Sequence, residues 1–314
     1  INAERLDMVK KHGSSMPTWL FDMWYPSEYD ISKINMMWHV NPKFLDNFKK
    51  IAPTLKRLYV TGGEPSIIKA NDDMINHLIE IGNKECHVSF TTNLTTWNMN
   101  LYDKLSFFDK SEVQVSIDGY EESQEYIRYG STWKDIDRNF KKLIELPDKV
   151  RIQIYNVFQV YNIFESHRIM KWLDSLDLKR EVAFWPIIID QPLHLRATVI
   201  PYHIRDKAKE LYRDFYDYTT YNNRYLDLHG AANKIISYLE SDWEPHGSYG
   251  KYCQGVEQTE ANQKYMFYQY TNFMDKVRGH NFFETFPQFE ELKEEFEEVL
   301  DWKLETPNWW VDDE

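Results

Sequence analysis

Residues Arg57–Ser66, with the sequence RLYVTGGEPS, decide how the rest of this chain is arranged. Leu58–Val60 is a short apolar run with β-branched and aromatic character that is bounded by glycine, and this predicts a buried strand. Gly62 and Gly63 then allow backbone conformations closed to other residues and a close approach to a ligand. Glu64 follows directly, and the proline after it cannot continue the strand ladder. The stretch predicts a ligand-facing turn at the carboxyl end of a strand; an ordinary βα turn with a solvated glutamate is the alternative.

The same alternation of apolar strand and amphipathic helix continues along the chain. Apolar residues at helical spacing predict a helix after Pro42 and one between successive strands. Pro186 falls inside the last strand and indicates an edge position or a bulge. Strands that alternate with helices form parallel βαβ units, so the pattern predicts an α/β protein with a partial barrel. Further strands are predicted at His87–Thr91, Glu112–Ile117, Val150–Val157 and Val182–Ile189.

The pattern changes to helices alone from about Pro201. We therefore predict a partial barrel over residues 45–200 and a C-terminal helical region over residues 201–314. Residues 1–44 show no clear period and are interpreted as an irregular or helical segment that holds a truncated first β/α unit. The expected barrel is thus one whose first strand is missing.

Composition limits the classes of partner. The chain has 314 residues and a net charge of −13, from 37 basic and 50 acidic side chains. This disfavours nucleic acid and anionic membranes, which need a basic surface. No apolar run reaches the length of a membrane span and no signal peptide is visible. Two cysteines make no disulfide framework, so a cytoplasmic location is expected. His194, His203 and His246 follow no metal spacing and are predicted at the surface or in loops.

Polar residues fall at the carboxyl ends of successive predicted strands. Glu64, Asn93 and Asp118 end the first three strands, and Asn156 lies near the end of the fourth. Ligands bind at this rim in barrels and in open parallel sheets. The sequence therefore predicts one shared site at this rim.

These strand ends resemble those of a known enzyme family. Thr61–Pro65 resembles the glycine-glycine-glutamate-proline motif of radical S-adenosylmethionine (radical SAM) enzymes, and Phe90–Asn93 and Val115–Gly119 resemble the next two strand ends of that family. Glu125–Gly130 resembles the arginine-bearing turn of members with SPASM or twitch domains. Phe282–Pro287 is similar, more weakly, to the tail of twitch-type members.

The resemblance implies a role for most of the matching positions. The double glycine and Glu64 would hold the methionyl amino group of SAM, and Arg128 its carboxylate, which an arginine fork matches in bidentate fashion. Ser116 and Asp118 would lie beside the ribose, Asn156 would reach the adenosine side, and Asn93 would line the mouth without an assigned step. The residues expected to bind the cofactor are Gly62, Gly63, Glu64, Pro65, Asn93, Ser116, Asp118, Arg128 and Asn156.

The family's cysteine signature is missing. Its members carry three cysteines, spaced three and two residues apart, that bind a 4Fe–4S cluster, whereas this chain has only Cys86 and Cys253. We expect both to be ordinary thiols, and we predict no metal ligands within the chain. One explanation is a fragment that begins at Ile1 just after the cysteine loop, with the cluster ligands expected upstream. The other is a cluster-less relative that only binds.

The resemblance implies an enzyme that reductively cleaves SAM to a deoxyadenosyl radical, with an electron donor as partner. The substrate is unknown and would be a peptide, a protein or a sugar; no catalytic residue is assigned. The chain alone is expected to be inactive. A non-catalytic binding module is one alternative, and a glycosidase that uses Glu64 and Asp118 is another.

Overall fold

The computed structural model describes residues 8, 11–12, 16–17, 19–20, 41–222, 226, 228–243, 252–253 and 256–298. Five parallel strands form one sheet in the order β1-β2-β3-β4-β5, so every strand pairs with its neighbour in the chain. The predicted α/β fold, consistent with a partial barrel followed by helices, is confirmed. The strands are β1 Arg57–Val60, β2 His87–Thr92, β3 Ser111–Ser116, β4 Val150–Phe158 and β5 Val182–Ile188.

Helices connect the strands, as right-handed parallel crossovers require. They are α1 Pro42–Ile51, α2 Lys69–Glu80, α3 Met99–Lys104, α4 Glu122–Ile127, α5 Trp133–Leu143 and α6 Ser166–Ser175. The later helices are α7 Tyr202–Asn222, α8 His229–Leu239, α9 Glu260–Arg278, α10 Phe282–Thr285 and α11 Lys293–Glu298. A separate two-stranded antiparallel pair consists of β6 Tyr252–Cys253 and β7 Val256–Glu257.

Local sequence signals fix where several helices begin and end. Asn41 caps α1 by accepting a hydrogen bond from the backbone N–H of Lys43, and Pro42 occupies the first turn, where a missing N–H costs nothing. After α2, Gly82 takes the left-handed conformation (φ 72°), and the N–H of Asn83 returns to the carbonyl of Leu78. A glycine in this conformation is a common way for a helix to end.

One face of the sheet forms the core. Successive side chains of a strand point to opposite faces, and on one face Phe90, Val113 and Ile154 are buried together with apolar residues of α2, α5 and α6. The strands therefore alternate between buried and more accessible residues, most clearly in β4.

The opposite face of the sheet is polar. The hydroxyl of Tyr59 on β1 lies 2.8 Å from that of Thr91 on β2 and donates to Oε1 of Gln114 on β3. Tyr59 and Trp185 are about half exposed on this face, at 50% and 52%.

Pro186 lies in an edge strand, as predicted. It sits opposite Asn156 in the register of β4 and β5, and β5 has no second neighbour in the five-stranded sheet. A proline cannot donate to a ladder, and an edge position does not require it to.

Helix α9 is joined to the connections that follow β3 and β4. Tyr126 of α4 donates a hydrogen bond to Asp275 at 2.7 Å, and the hydroxyls of Tyr161 and Thr271 lie 2.8 Å apart. No helix among the described residues is long and apolar enough to cross a membrane. The boundaries at residues 44 and 200 stay predictions.

Candidate functional site

The carboxylate of Glu64 joins the ends of β1 and β2. Its Oε1 accepts hydrogen bonds from the N–H and hydroxyl of Ser66 and from the hydroxyl of Thr92, and its Oε2 accepts from the N–H of Asn93 at 2.9 Å. The side chain is largely buried. Buried carboxylates need such donors, because an unpaired one would be strongly penalised. Glu64 therefore organises this part of the rim, whatever else it binds.

The double glycine adopts the backbone conformation that the sequence indicated. Gly62 and Gly63 have φ values of 90° and 61°, and a Cβ built on either would meet no heavy atom within 4 Å. Both residues are exposed. The left-handed backbone, rather than crowding by neighbouring protein atoms, is what requires glycine here.

Asp118 and Arg128 form an ion pair at the end of β3. Nε of Arg128 lies 2.7 Å from Oδ2 of Asp118, and Oδ1 of Asp118 accepts a hydrogen bond from the N–H of Val157 at 2.7 Å. Asp118 is buried and Arg128 is partly buried. The pair places one charged fork at the rim between β3 and β4.

The turn that carries Asp118 is held from α4. Oε1 of Gln124 accepts hydrogen bonds from the N–H groups of Asp118 and Gly119. A Cβ at Gly119 would lie 2.6 Å from the backbone nitrogen of Gln124, so no larger residue fits without a backbone shift. Nδ2 of Asn162 donates hydrogen bonds to the backbone carbonyls of Asp118 and Val157.

A cavity of about 430 Å³ opens beside this ion pair. It brings together Asn93, Asp118 and Arg128 among the residues predicted to bind a cofactor. Its other lining residues are Met8, Thr95, Ile127, Tyr129, Gly130, Ser131, Gln159, Tyr270, Met274 and Arg278. Glu64 is outside the lining but one hydrogen bond away, through Asn93.

The remaining predicted residues lie near the same edge but not in the cavity. Gly62, Gly63 and Pro65 occupy the loop after β1, and Ser116 follows the polar face of β3. Asn156 belongs to the covered face: it is fully buried, donates to the carbonyl of Ile117 and accepts from Ser166 of α6. The structure thus gives Asn156 a place between β3 and α6.

Several residues that build the site carried no clear signal in the sequence. Gln124 and Asn162 orient the β3 and β4 turns, and α9 contributes three cavity residues from more than a hundred positions away. Ser66 directly follows the Thr61–Pro65 motif and Thr92 lies within Phe90–Asn93. Their hydroxyl groups were the only feature of the sequence that could have indicated hydrogen bonds to Glu64.

The prediction of a surface or loop position was wrong for His194. It lies in a short helical turn at Leu193–Leu195 and is only 1% exposed, with its ring between those of Trp19 and Tyr270. Burial lowers the pKa of His194 to about 3, so the ring is neutral. Trp19 and Tyr270 are far from His194 in sequence, so these ring contacts produce no local pattern from which the burial could be predicted. His203 is exposed and hydrogen-bonded to Glu291, as a surface residue should be, whereas His246 lies outside the described residues.

Burial also raises the pKa values of two side chains that join α9 to the barrel. It raises the pKa of Asp275, although Tyr126 donates to that carboxyl, and it raises the pKa of Tyr126 well above its usual range. The Tyr126 hydroxyl therefore keeps its proton and acts as a hydrogen-bond donor at all physiological pH values.

In the described part of the structure, no cysteine belongs to a cluster site. Cys86 is a buried core thiol whose pKa is raised by burial, and the side chain of Cys253 lies outside the described part of the structure. Among the residues that the structure describes, no group of His, Cys, Asp and Glu side chains could hold a metal ion. The residues present therefore do not fit a 4Fe–4S cluster, which needs cysteine thiolates.

Comparison with known families finds one similarity, in the part of the chain that holds the sheet. Residues 38–173 match the model of the Radical SAM superfamily, a span that begins before α1 and includes β1 to β4. This part of the chain is therefore similar to the radical SAM domain, and members of that superfamily are enzymes that generally use SAM and a 4Fe–4S cluster. No curated protein matches the chain.

Proposed function

We propose that this chain is the SAM-binding and substrate-facing part of a radical SAM enzyme of the twitch or SPASM type. The observation that carries the proposal is the Asp118–Arg128 pair, which lines a cavity with Asn93 at the carboxyl edge of the matched domain. Ligands of parallel α/β folds bind at this edge.

Arg128 is the residue that binds the methionyl carboxylate. Its Nε is held by Asp118, and in the described structure no hydrogen bond engages its two Nη groups. A carboxylate can accept from both in the planar geometry that a guanidinium offers. Asp118 acts chiefly as a positioning residue, because it fixes the fork before a ligand arrives.

The loop after β1 binds the amino group. Gly62 and Gly63 expose backbone in the left-handed conformation, and an ammonium pairs with carbonyl and carboxylate oxygens. Oε1 of Glu64 accepts three hydrogen bonds within the protein, but Oε2 accepts only one and keeps capacity for another donor. Ser116 faces the polar side of the sheet and is the candidate for contact with the ribose.

SAM would supply the deoxyadenosyl group for radical chemistry, and the protein's part would be to bind and orient it and to exclude water. The two cysteines of the chain are too few for the cluster triplet, so this proposal requires cluster ligands from outside the given sequence. It also includes an electron donor as a partner. We further propose that the enzyme is cytoplasmic and that its substrate is a peptide, a protein or a sugar.

The same two cysteines favour one alternative, a binding module that holds SAM without cleaving it. The glycosidase alternative is not favoured. The Glu64 carboxylate accepts four hydrogen bonds and Asp118 is held in an ion pair, so neither is placed to donate a proton to a leaving group.

Calorimetric titration of SAM into this chain tests the proposal. We expect saturable binding of one SAM per chain, weakened about tenfold or more in Arg128→Gln because a charge-assisted hydrogen bond is lost. Arg138→Gln is the matched control, since Arg138 is exposed and pairs with Asp135 outside the cavity. Absence of binding at millimolar SAM, or equal affinity in all three proteins, would overturn it.

A further inference from the structure

We propose that the polar face of the sheet binds a saccharide, which packs on Trp185 in a cavity toward the amino-terminal ends of β4 and β5. The cavity has a volume of about 700 Å³, within the range of about 300–1,000 Å³ that small-molecule sites span. Among the described residues, it shares no lining residue with the cavity beside Asp118 and Arg128. The inference deepens the proposed function by choosing a sugar as the substrate class, and it rests on that function only for the reaction.

The aromatic platform of this site is Trp185 on β5, which is 52% exposed and lines the cavity. Trp185 stands opposite Tyr155 in the register of β4 and β5, and Tyr155 stands opposite Ser116 on β3. The three side chains therefore lie on the same, polar face of the sheet. In the described structure no aromatic ring stacks on the indole. A sugar ring has an apolar face of C–H groups, and a flat indole can cover it.

A band of neutral polar side chains crosses the sheet to this cavity. Thr91 stands opposite Gln114, and Gln114 stands opposite Gln153, which lines the cavity. Oε1 of Gln114 accepts hydrogen bonds from the hydroxyl of Thr91 at 2.9 Å and from that of Tyr59 at 3.2 Å. The side-chain amide of Gln153 makes no hydrogen bond with a described residue. Its donor and its acceptor therefore remain for the hydroxyl groups of a ligand.

The charges that line the cavity balance one another. Its charged lining residues are Arg151, Lys179, Arg180, Asp148 and Glu181. Because Lys179 also pairs with Asp177 at 2.5 Å, an ion of either sign would meet like charges as well as opposite ones. A guanidinium only donates hydrogen bonds and a carboxylate only accepts them, whereas a hydroxyl does both. Neighbouring hydroxyls of an uncharged saccharide can use both kinds of group.

The wall of the cavity is fixed before a ligand binds. Arg180 is buried and donates hydrogen bonds to the backbone carbonyls of Leu146 and Val150, which join the segment before β5 to the start of β4. A site held in this way loses little freedom on binding. Arg151 and Glu181 are exposed and make no hydrogen bond or ion pair with a described residue. Their polar groups are therefore open to a ligand.

The position of the cavity favours a saccharide over a peptide. A peptide that adds to a sheet does so at an edge strand, where backbone N–H and C=O groups are unpaired. This cavity lies on the face of the sheet, where side chains and not backbone groups supply the hydrogen bonds. An aromatic platform beside amide, guanidinium and carboxylate groups matches a ligand with an apolar ring face and a rim of hydroxyls.

Tryptophan side-chain NMR of the ¹⁵N-labelled chain tests the inference. Glucose, galactose, mannose and N-acetylglucosamine are titrated separately, and the indole N–H signal of Trp185, assigned by its loss in Trp185→Phe, is followed. We expect a saturable shift with at least one of these sugars. Ligand-observed saturation-transfer NMR then measures affinity, which should fall about tenfold or more in Trp185→Ala and less in Trp185→Phe, which keeps a ring. Gln153→Ala should weaken binding several-fold, as for loss of a hydrogen bond.

The matched control is Tyr202→Ala, because Tyr202 is also 52% exposed and lies outside the cavity lining. It should leave sugar affinity unchanged, and amide spectra of each variant report whether it folds. No saturable shift with any of these sugars, a shift with the tripeptide Ala-Gln-Ala alone, or unchanged affinity in both Trp185→Ala and Gln153→Ala would overturn the inference. SAM titration of the same samples separates the two proposals: lost SAM binding with an intact Trp185 response contradicts the SAM site and supports the saccharide site.

Discussion

Nε of Arg128 lies 2.7 Å from Oδ2 of Asp118, so the two residues that the sequence assigned to different parts of SAM form a single unit. The Asp118 side chain is only 6% exposed and that of Arg128 is 29% exposed. Such partly buried pairs are screened less by water than surface pairs. The guanidinium of Arg128 is therefore held in one orientation by Asp118, which need not touch the ligand carboxylate.

Asp118→Asn tests this unit. The substitution keeps the shape and removes the charge that fixes Arg128, so we expect SAM affinity to fall about tenfold, as for loss of one charge-assisted hydrogen bond. Calorimetry with SAM measures it. Asp177→Asn removes an exposed surface carboxylate and should have no effect. Equal affinities would show that Asp118 does not position the fork.

Gly119→Ala tests the turn that carries Asp118. The added Cβ would lie 2.6 Å from the backbone nitrogen of Gln124, and relieving such overpacking costs typically 1–3 kcal/mol. We expect a lower urea midpoint and, because the turn shifts, weaker SAM binding. Gly82→Ala, which strains a left-handed residue after α2, should lower stability and leave SAM affinity intact. A Gly119→Ala protein with native SAM affinity would contradict the coupling.

The fold was predictable because its signals are local. Each strand of the sheet is a short apolar run, each connection has helical spacing, and Gly82 and Pro186 mark a helix end and an edge strand. Parallel βαβ geometry then places the strand ends at one edge without further information.

The site was predictable only in part, because side-chain contacts depend on the tertiary structure. Asn93, Asp118 and Arg128 line the cavity, but the hydrogen bonds that engage Glu64 and the covered position of Asn156 depend on neighbouring strands and on α6. Tyr270, Met274 and Arg278 of α9 follow a helical period that fits an ordinary core face equally well. Nothing local indicates that this face meets the rim.

Glu121 offers a test of backbone strain near the site. It has φ 54° and ψ −125° directly before α4, a conformation that glycine adopts easily and other residues rarely adopt. We expect Glu121→Gly to raise the free energy of unfolding by about 1 kcal/mol, less the small contribution of its surface ion pair with Arg168. Urea unfolding measures this. Glu122→Gly, inside the first turn of α4, should destabilise instead, and a loss of stability in both variants would contradict the strain.

Anaerobic reconstitution with iron and sulfide tests the cysteine argument. The chain should not form a 4Fe–4S cluster, because Cys86 is a buried thiol with a raised pKa and one other cysteine cannot complete a ligand set. Absorption spectroscopy should show no stoichiometric cluster band, and added SAM should remain uncleaved after reduction. Cys86→Ala should behave in the same way; a cluster that depends on Cys86 would contradict the prediction.

His194 should make the protein sensitive to acid. Burial holds the pKa of the folded protein's His194 at about 3, against an ordinary value of 6.5 in the unfolded chain. Below about pH 6.5 the unfolded chain takes up a proton that the folded protein does not. The free energy of unfolding therefore decreases as the pH is lowered from 6.5 toward 3 and increases when the pH is raised over the same range. At about pH 5 the loss from this group is on the order of 2 kcal/mol. His167, with its pKa lowered to about 4, adds to the same trend.

Replacement of His194 by phenylalanine isolates this contribution. The variant keeps a ring against Trp19 and Tyr270 but cannot take up a proton, so its unfolding free energy should fall less than that of the unmodified protein between pH 7 and pH 5. Urea unfolding at several pH values measures the two profiles. His203→Gln, which removes an exposed histidine paired with Glu291, is the matched control for the loss of an imidazole. Parallel profiles for the unmodified protein and His194→Phe would show that His194 is not the group whose protonation destabilises the fold.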